Sequence, residues 1–187
     1  FYALSRDGVY VNLYHNSDLD WHLEDGTGIK IAQATSYPWS GEVKLSVDPA
    51  HSASFTVYLR WPGWAPSAEV LVNGQPVAAG AARRGSYIAV SRTWNPGDSI
   101  SLSLPMPPTA MAANPRVTDT YGRVALQRGP LVYALEQIDQ AGMSLPDLFI
   151  RPATPITVES RRDLLGGVTV LKISGQAAER SISEEPL

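Results

Sequence analysis

Residues 121–136 read YGRVALQRGPLVYALE, and their pattern sets the fold class. Leu131, Tyr133 and Leu135 fall on one side and Val132, Ala134 and Glu136 on the other. That is the two-residue period of a pleated strand, not the 3.6-residue period of a helix. The stretch is expected to form two short buried strands, 124–127 and 131–135, joined across Gly129-Pro130. Gly129 can take backbone angles closed to other residues and Pro130 removes a ladder donor, so the pair is expected to bend the chain between sheets. Arg123 and Arg128 flank the apolar positions, where they are expected to pair with carboxylates or carbonyls at the strand ends.

The same period runs through the residues before this stretch. Residues 1–14 read as one strand, with Val9, Val11 and Leu13 opposite Tyr10, Asn12 and Tyr14. Residues 19–23 and 29–35 form a hairpin around Asp25-Gly26-Thr27-Gly28. Further on, Val43, Leu45 and Val47 face in, as do Phe55, Val57, Leu59 and Trp61, with Lys44, Ser46, Thr56, Tyr58 and Arg60 outward. Asn73-Gly74 is a two-residue hairpin signal, and Asn95-Pro96-Gly97-Asp98 turns the chain into 99–104. The proline-rich segment 105–115 is expected to stay extended and out of any sheet. Beyond it come short strands near 148–150, 156–158 and 168–173, a loop at 141–146, and a polar tail over 176–187. Short strands at this spacing, with no helical stripe, predict an all-β protein of two antiparallel β-sandwich, jelly-roll-like domains. The predicted division is 1–105 for the first domain and 106–187 for the second, the latter truncated at its C-terminus.

Composition narrows the function classes. Net charge is 15 − 18 = −3 and the basic residues are scattered, so there is no electrostatic footprint for nucleic acid or an acidic membrane. No apolar run is long enough to span a bilayer as a helix. A soluble protein is expected, with the cytoplasm slightly favoured and no compartment fixed. The 187 residues contain no cysteine, which removes disulfides, thiolate metal sites and a cysteine nucleophile from this stretch. The chain opens at Phe1 in strand-like sequence and reads as a fragment.

Two places have the residue types for a site. On the first hairpin Asp18, Asp20, His22 and Glu24 share one face, spaced for a bent-strand cation site or for paired glycosidase carboxylates. A solvated outer sheet face would show the same alternation, and nothing in the sequence buries these groups, which favours that simpler role. No catalytic residue and no metal ligand is assigned. The second place is Tyr37-Pro38-Trp39-Ser40-Gly41, with Trp61-Pro62-Gly63-Trp64 nearby in type. Tyr37, Trp39 and Trp64 are candidates for stacking on sugar rings, since aromatic faces meet sugar C–H faces at little entropic cost. The alternative is that these rings plug the end of the sandwich or pack on another domain. His15, His22 and His51 sit in no nucleophile-elbow context.

GRVALQRGPLVYALE, together with GVYVNLY at 8–14, Tyr37-Pro38-Trp39 with Ser40-Gly41, and LRWPGWA at 59–65, resembles the non-catalytic part of the β-L-arabinofuranosidases of glycoside hydrolase family 127. The resemblance covers about the first three-quarters of the chain. It implies a hydrolase whose helical catalytic barrel precedes two β-sandwich domains, of which only the sandwiches are here. It also implies zinc, held by cysteines and a glutamate in that barrel together with a cysteine nucleophile and an acid/base glutamate. None of these maps onto a position of this chain, so no cofactor is expected within it. The implied partners are the barrel itself, arabinofuranosyl-containing glycans reached through the whole enzyme, and a second copy in a homo-oligomer. The chain alone is expected to be inactive. A free-standing carbohydrate-binding module is the alternative.

Overall fold

The computed structural model describes residues 1–140, 142–151 and 153–177. Ala141, Pro152 and the part of the expected polar tail after residue 177 lie outside the described residues. The chain falls into two compact units, the first running from Phe1 to Pro107 and the second beginning at Pro108.

The first unit contains β1 (Tyr2–Ser5), β2 (Gly8–Val11), β3 (Ser17–His22), β4 (Gly28–Thr35), β5 (Glu42–Pro49), β6 (Ala53–Arg60), β7 (Glu69–Val72), β8 (Gln75–Val77), β9 (Tyr87–Trp94) and β10 (Asp98–Ser103). They form a four-stranded sheet in the order β1-β2-β6-β9 and a six-stranded sheet in the order β3-β4-β5-β10-β7-β8. Along β5 every second residue is buried, Val43, Leu45, Val47 and Pro49, while Glu42, Lys44, Ser46 and Asp48 are exposed. One buried cluster joins Val11, Val57 and Ile88 of the first sheet to Ile31, Leu45 and Ile100 of the second. This is a sandwich, and each such side chain removed from water contributes roughly 1.5–3 kcal/mol before chain entropy is counted.

Several expectations are corrected here. Residues 1–14 form the two antiparallel strands β1 and β2, not one strand. The alternation ends at Val11, so Leu13 is exposed while Tyr14 is buried. β2 and β6 run parallel, with Tyr10 opposite Tyr58 and Val11 opposite Leu59. The chain passes through β3, β4 and β5 in the other sheet between them, and it re-enters the first sheet in the same direction. Gly8 is required at this junction, because a Cβ there would lie 2.0 Å from the Thr56 carbonyl oxygen. Trp61 lies just beyond β6 and is half-buried.

The tight turns follow the sequence. Asn73 and Gly74 both have positive φ, 50° and 77°, as a primed two-residue hairpin requires. In the Asn95–Asp98 turn the Asp98 carboxylate accepts from the Asn73 amide at 2.8 Å and the Asn95 backbone N–H at 3.0 Å. Burial pushes this carboxyl up, but the Asn95 N–H, the Asn73 amide and the nearby Arg92 outweigh it and hold it below its ordinary value. A carboxylate depressed in the fold stabilises it above the unfolded pKa, near about 3.9, and that contribution fades as pH falls below it. Asp98→Asn is therefore expected to flatten the loss of stability between about pH 5 and pH 3, read by denaturant titration at each pH; an acid limb as steep as that of the parent chain would contradict it.

The second unit contains β11 (Pro108–Ala112), β12 (Val124–Arg128), β13 (Leu131–Tyr133), β14 (Leu148–Phe149), β15 (Ile156–Arg161), β16 (Val168–Ile173) and β17 (Gln176–Ala177). They pair as a three-stranded sheet, β11-β12-β13, and as the two-stranded sets β14-β17 and β15-β16. Part of the proline-rich segment is thus inside a sheet, contrary to expectation: Pro108 opens edge strand β11, where its missing N–H costs nothing, and Thr109 to Ala112 supply the pairing. Gly129, with φ of 58°, and Pro130 make a tight hairpin within one sheet, with Arg128 opposite Leu131, and not a bend between sheets. The two strands are not buried either, since Val124 is 50% and Val132 70% exposed. The only helical pieces among the described residues are three-residue 3-10 turns at Thr118–Thr120, Gln137–Asp139 and Leu145–Asp147. The fold class is all-β.

Candidate functional site

Three loops meet at one end of the first sandwich: the one after β2, the one between β4 and β5, and the one after β6. In the second, the Tyr37 N–H donates to Thr35 Oγ1 at 3.0 Å, and the Thr35 hydroxyl donates to the Glu42 carbonyl at 2.6 Å. The Trp39 N–H donates to the Ser36 carbonyl at 2.9 Å, and the Tyr37–Pro38 peptide is cis. Gly41 closes the loop against Leu104, where a Cβ would lie 1.9 Å from the Leu104 carbonyl oxygen. In the third loop Trp61 Nε1 donates to the Ala65 carbonyl at 3.1 Å, which holds Trp64 in place between them.

The rings then pack inward. Tyr14 meets Tyr37 edge-on at 6.0 Å, and Tyr37 lies 6.3 Å from Trp64 at a 31° tilt. Tyr14 donates its hydroxyl to the Arg60 carbonyl at 2.5 Å, and burial pushes its phenol well above the ordinary range. Burial also raises the Tyr37 phenol. Of the three sugar-stacking candidates, Tyr37 and Trp64 are brought together but half-buried, while Trp39 is 49% exposed. The three thus differ in exposure, with Trp39 at the surface and the other two partly covered. A cavity of about 280 Å³ sits beside them, lined by Phe1, Leu13, Tyr14, Tyr37, Pro38 and Pro62 among others.

The carboxylate face has a simpler part. Asp18, Asp20, His22 and Glu24 are all exposed, Asp20 stands opposite Lys30 in the ladder, and Glu24 pairs with Arg6 at 3.0 Å. Among the described residues no three His, Asp or Glu side chains gather as a metal site would need. With no cysteine in the sequence either, the residues here do not fit the zinc that the resemblance implies.

One aromatic group escaped the sequence reading. On the outer face of the four-stranded sheet Tyr10 and Tyr58 stack at 4.1 Å, Tyr87 meets Tyr10 edge-on at 5.1 Å, and Arg60 lies 5.3 Å over the Tyr87 ring. Tyr58 donates to Asp7 at 2.8 Å and Tyr87 to Asn12 at 2.5 Å. The Ser5 hydroxyl and then Tyr58 hold the Asp7 carboxyl below its ordinary range. The period of two was visible at these tyrosines, but their meeting depends on the parallel pairing of β2 with β6.

The layered strands, with aromatic end loops on the first unit, define the class as all-β, a β-sandwich protein. Residues 8–106 match the profile of the GH127 middle domain of β-L-arabinofuranosidases and residues 108–176 that of the glycoside hydrolase family 127 C-terminal domain, so the chain belongs to glycoside hydrolase family 127. It is 35% identical over 194 residues to a non-reducing end β-L-arabinofuranosidase of Bifidobacterium longum subsp. longum, covering 97% of this chain and 28% of that one. A crystal structure of a GH127 β-L-arabinofuranosidase from Geobacillus stearothermophilus T6 superposes with a TM-score of 0.90 at 38% identity, over 100% of this chain and 29% of that one. A GH127 β-arabinofuranosidase structure gives 0.84 at 31% identity, over 94% and 30%. The chain thus spans less than a third of the length of these relatives.

Proposed function

We propose that this chain is the non-catalytic, accessory part of a β-L-arabinofuranosidase-type glycoside hydrolase. It braces a helical catalytic barrel that precedes it in the whole enzyme, and it contributes to the rim of the cleft or to oligomer contacts. Arabinofuranosyl-containing glycans are substrates of that whole enzyme. The observation that carries this reading is that the two matching profiles belong to a middle and a C-terminal domain and together take in nearly all of the described residues. The test is a chimera in which these residues replace the matched stretch of the Geobacillus relative. The chimera is expected to turn over arabinofuranoside and to unfold in one cooperative transition, above the temperature at which the chain alone unfolds. A sandwich that melts in the chimera at its isolated temperature, apart from the rest, would overturn the bracing role.

Exposure of Trp39 supports a second role, sugar binding through Tyr37, Trp39 and Trp64. Calorimetric titration of arabinan or arabinogalactan oligosaccharides is expected to give binding that Trp39→Ala weakens about tenfold, in line with the loss of one stacking ring. No heat at millimolar sugar removes this role.

A further inference from the structure

The other end of the first sandwich is built differently from the aromatic end. β4 starts there at Gly28, roughly 23 Å along the strand from Thr35. On the outer face Asp20, Lys30 and Asp48 stand in one row across β3, β4 and β5, and His22 stands opposite Gly28 in the next row. Gly28 leaves the space beside His22 unfilled, since even a Cβ built there would come no nearer than 3.8 Å to the imidazole Nε2. The result is a hollow of about 420 Å³, lined by these residues together with Trp21 and Pro96 among others. The Gly97 N–H donates to Asp48 Oδ1 at 3.1 Å, and Trp21 is held edge-on against Phe55 at 5.9 Å. The side chains of Asp20, His22 and Lys30 make no hydrogen bond or ion pair among the described residues. Apolar rings beside a few converging polar groups are the usual make-up of a small-molecule site.

We propose that this hollow binds a neutral saccharide residue, with its hydroxyls on Asp20, Lys30 and Asp48 and a C–H face against Trp21. The lining selects that chemistry. Two carboxylates and one ammonium leave one net negative charge, which disfavours a phosphate or carboxylate ligand. Asp20 and Asp48 stand two strand spacings apart, about 10 Å, with the Lys30 ammonium between them, so they are not placed to share a metal ion. A wholly apolar ligand would strip water from three charged groups and pair none of them. A sugar hydroxyl both donates and accepts, so one ring can satisfy carboxylate and ammonium together while its C–H face covers an aromatic ring. The site stands apart from the Tyr37–Trp39 loop and does not depend on the accessory role.

The test follows amide and indole N–H signals of the isotope-labelled chain by NMR during titration with arabinan or arabinogalactan oligosaccharides at millimolar concentration. Saturable shifts are expected at the Lys30 and Gly97 amides and the Trp21 indole. Gly28→Val, which fills the hollow at a position with ordinary φ, is expected to abolish them. Asp20→Ala and Lys30→Ala, both exposed, are each expected to weaken binding about tenfold, the loss of one charge-assisted hydrogen bond, while the melting temperature moves by less than about 1 °C. Trp39→Ala is expected to leave these shifts unchanged, which separates this site from the aromatic loop. Calcium chloride and sodium phosphate are expected to leave the same signals in place. Absence of shifts with both sugars, unchanged affinity in Asp20→Ala and Lys30→Ala, or saturable shifts with calcium or phosphate would overturn the proposal.

Discussion

Trp94→Ala is expected to destabilise the first unit by about 3–5 kcal/mol, the range for truncating a buried large aromatic. Trp94 closes β9 at 0% exposure. Its ring lies 5.9 Å from Phe55 and its Nε1 donates to the Phe55 carbonyl at 3.0 Å, on the neighbouring strand β6. Truncation opens a cavity between the two sheets and leaves that carbonyl without its donor, two costs of the same sign. Trp94→Phe refills most of the volume but not the bond, so it is expected to recover more than half of the loss. Urea titration followed by far-UV circular dichroism measures both, and a Trp94→Ala loss below about 1 kcal/mol would contradict this packing.

The two units are expected to differ as sharply. A chain cut to residues 1–107 should keep a cooperative melting transition, while residues 108–187 alone should show none. Every buried hydrophobic side chain among the described residues lies at or before Leu104. In the second unit Tyr121 is 79% and Ile138 88% exposed, and its strands pair in twos and threes. A unit of this size whose described residues hold no buried apolar centre is not expected to offset its chain entropy. Calorimetry of the two pieces decides it, and a sharp, reversible transition in 108–187 alone would contradict the expectation.

Local chemistry was the legible part of the fold. Val43, Leu45 and Val47 alternate with charged and hydroxyl side chains, and that alternation became the burial pattern of β5. Asn73-Gly74 became the primed hairpin because few other pairs accept two positive φ values. What failed depended on residues far away in sequence. Whether Leu13 or Tyr14 points inward is decided where β2 ends, and Tyr14 is claimed by the Arg60 carbonyl. The parallel β2–β6 pair and the use of Pro108 in an edge strand depend on which strand lies alongside. β12 and β13 look more buried in sequence than they are, because apolar alternation reports a side chain's preference and not its surroundings. At the aromatic end, residue type was readable but exposure was not. Tyr37 is half-buried because Tyr14 and Trp64 arrive from other loops, whereas Trp39, two residues on, is left at the surface.

The central claim is that the groups which break a glycosidic bond lie outside these residues. Its most direct measurement is the release of arabinose from a β-L-arabinofuranoside by the purified chain, with and without added zinc. No release above the uncatalysed rate is predicted under either condition. Turnover that survives repurification and disappears with substitution of Asp18, Asp20 or Glu24 would contradict it.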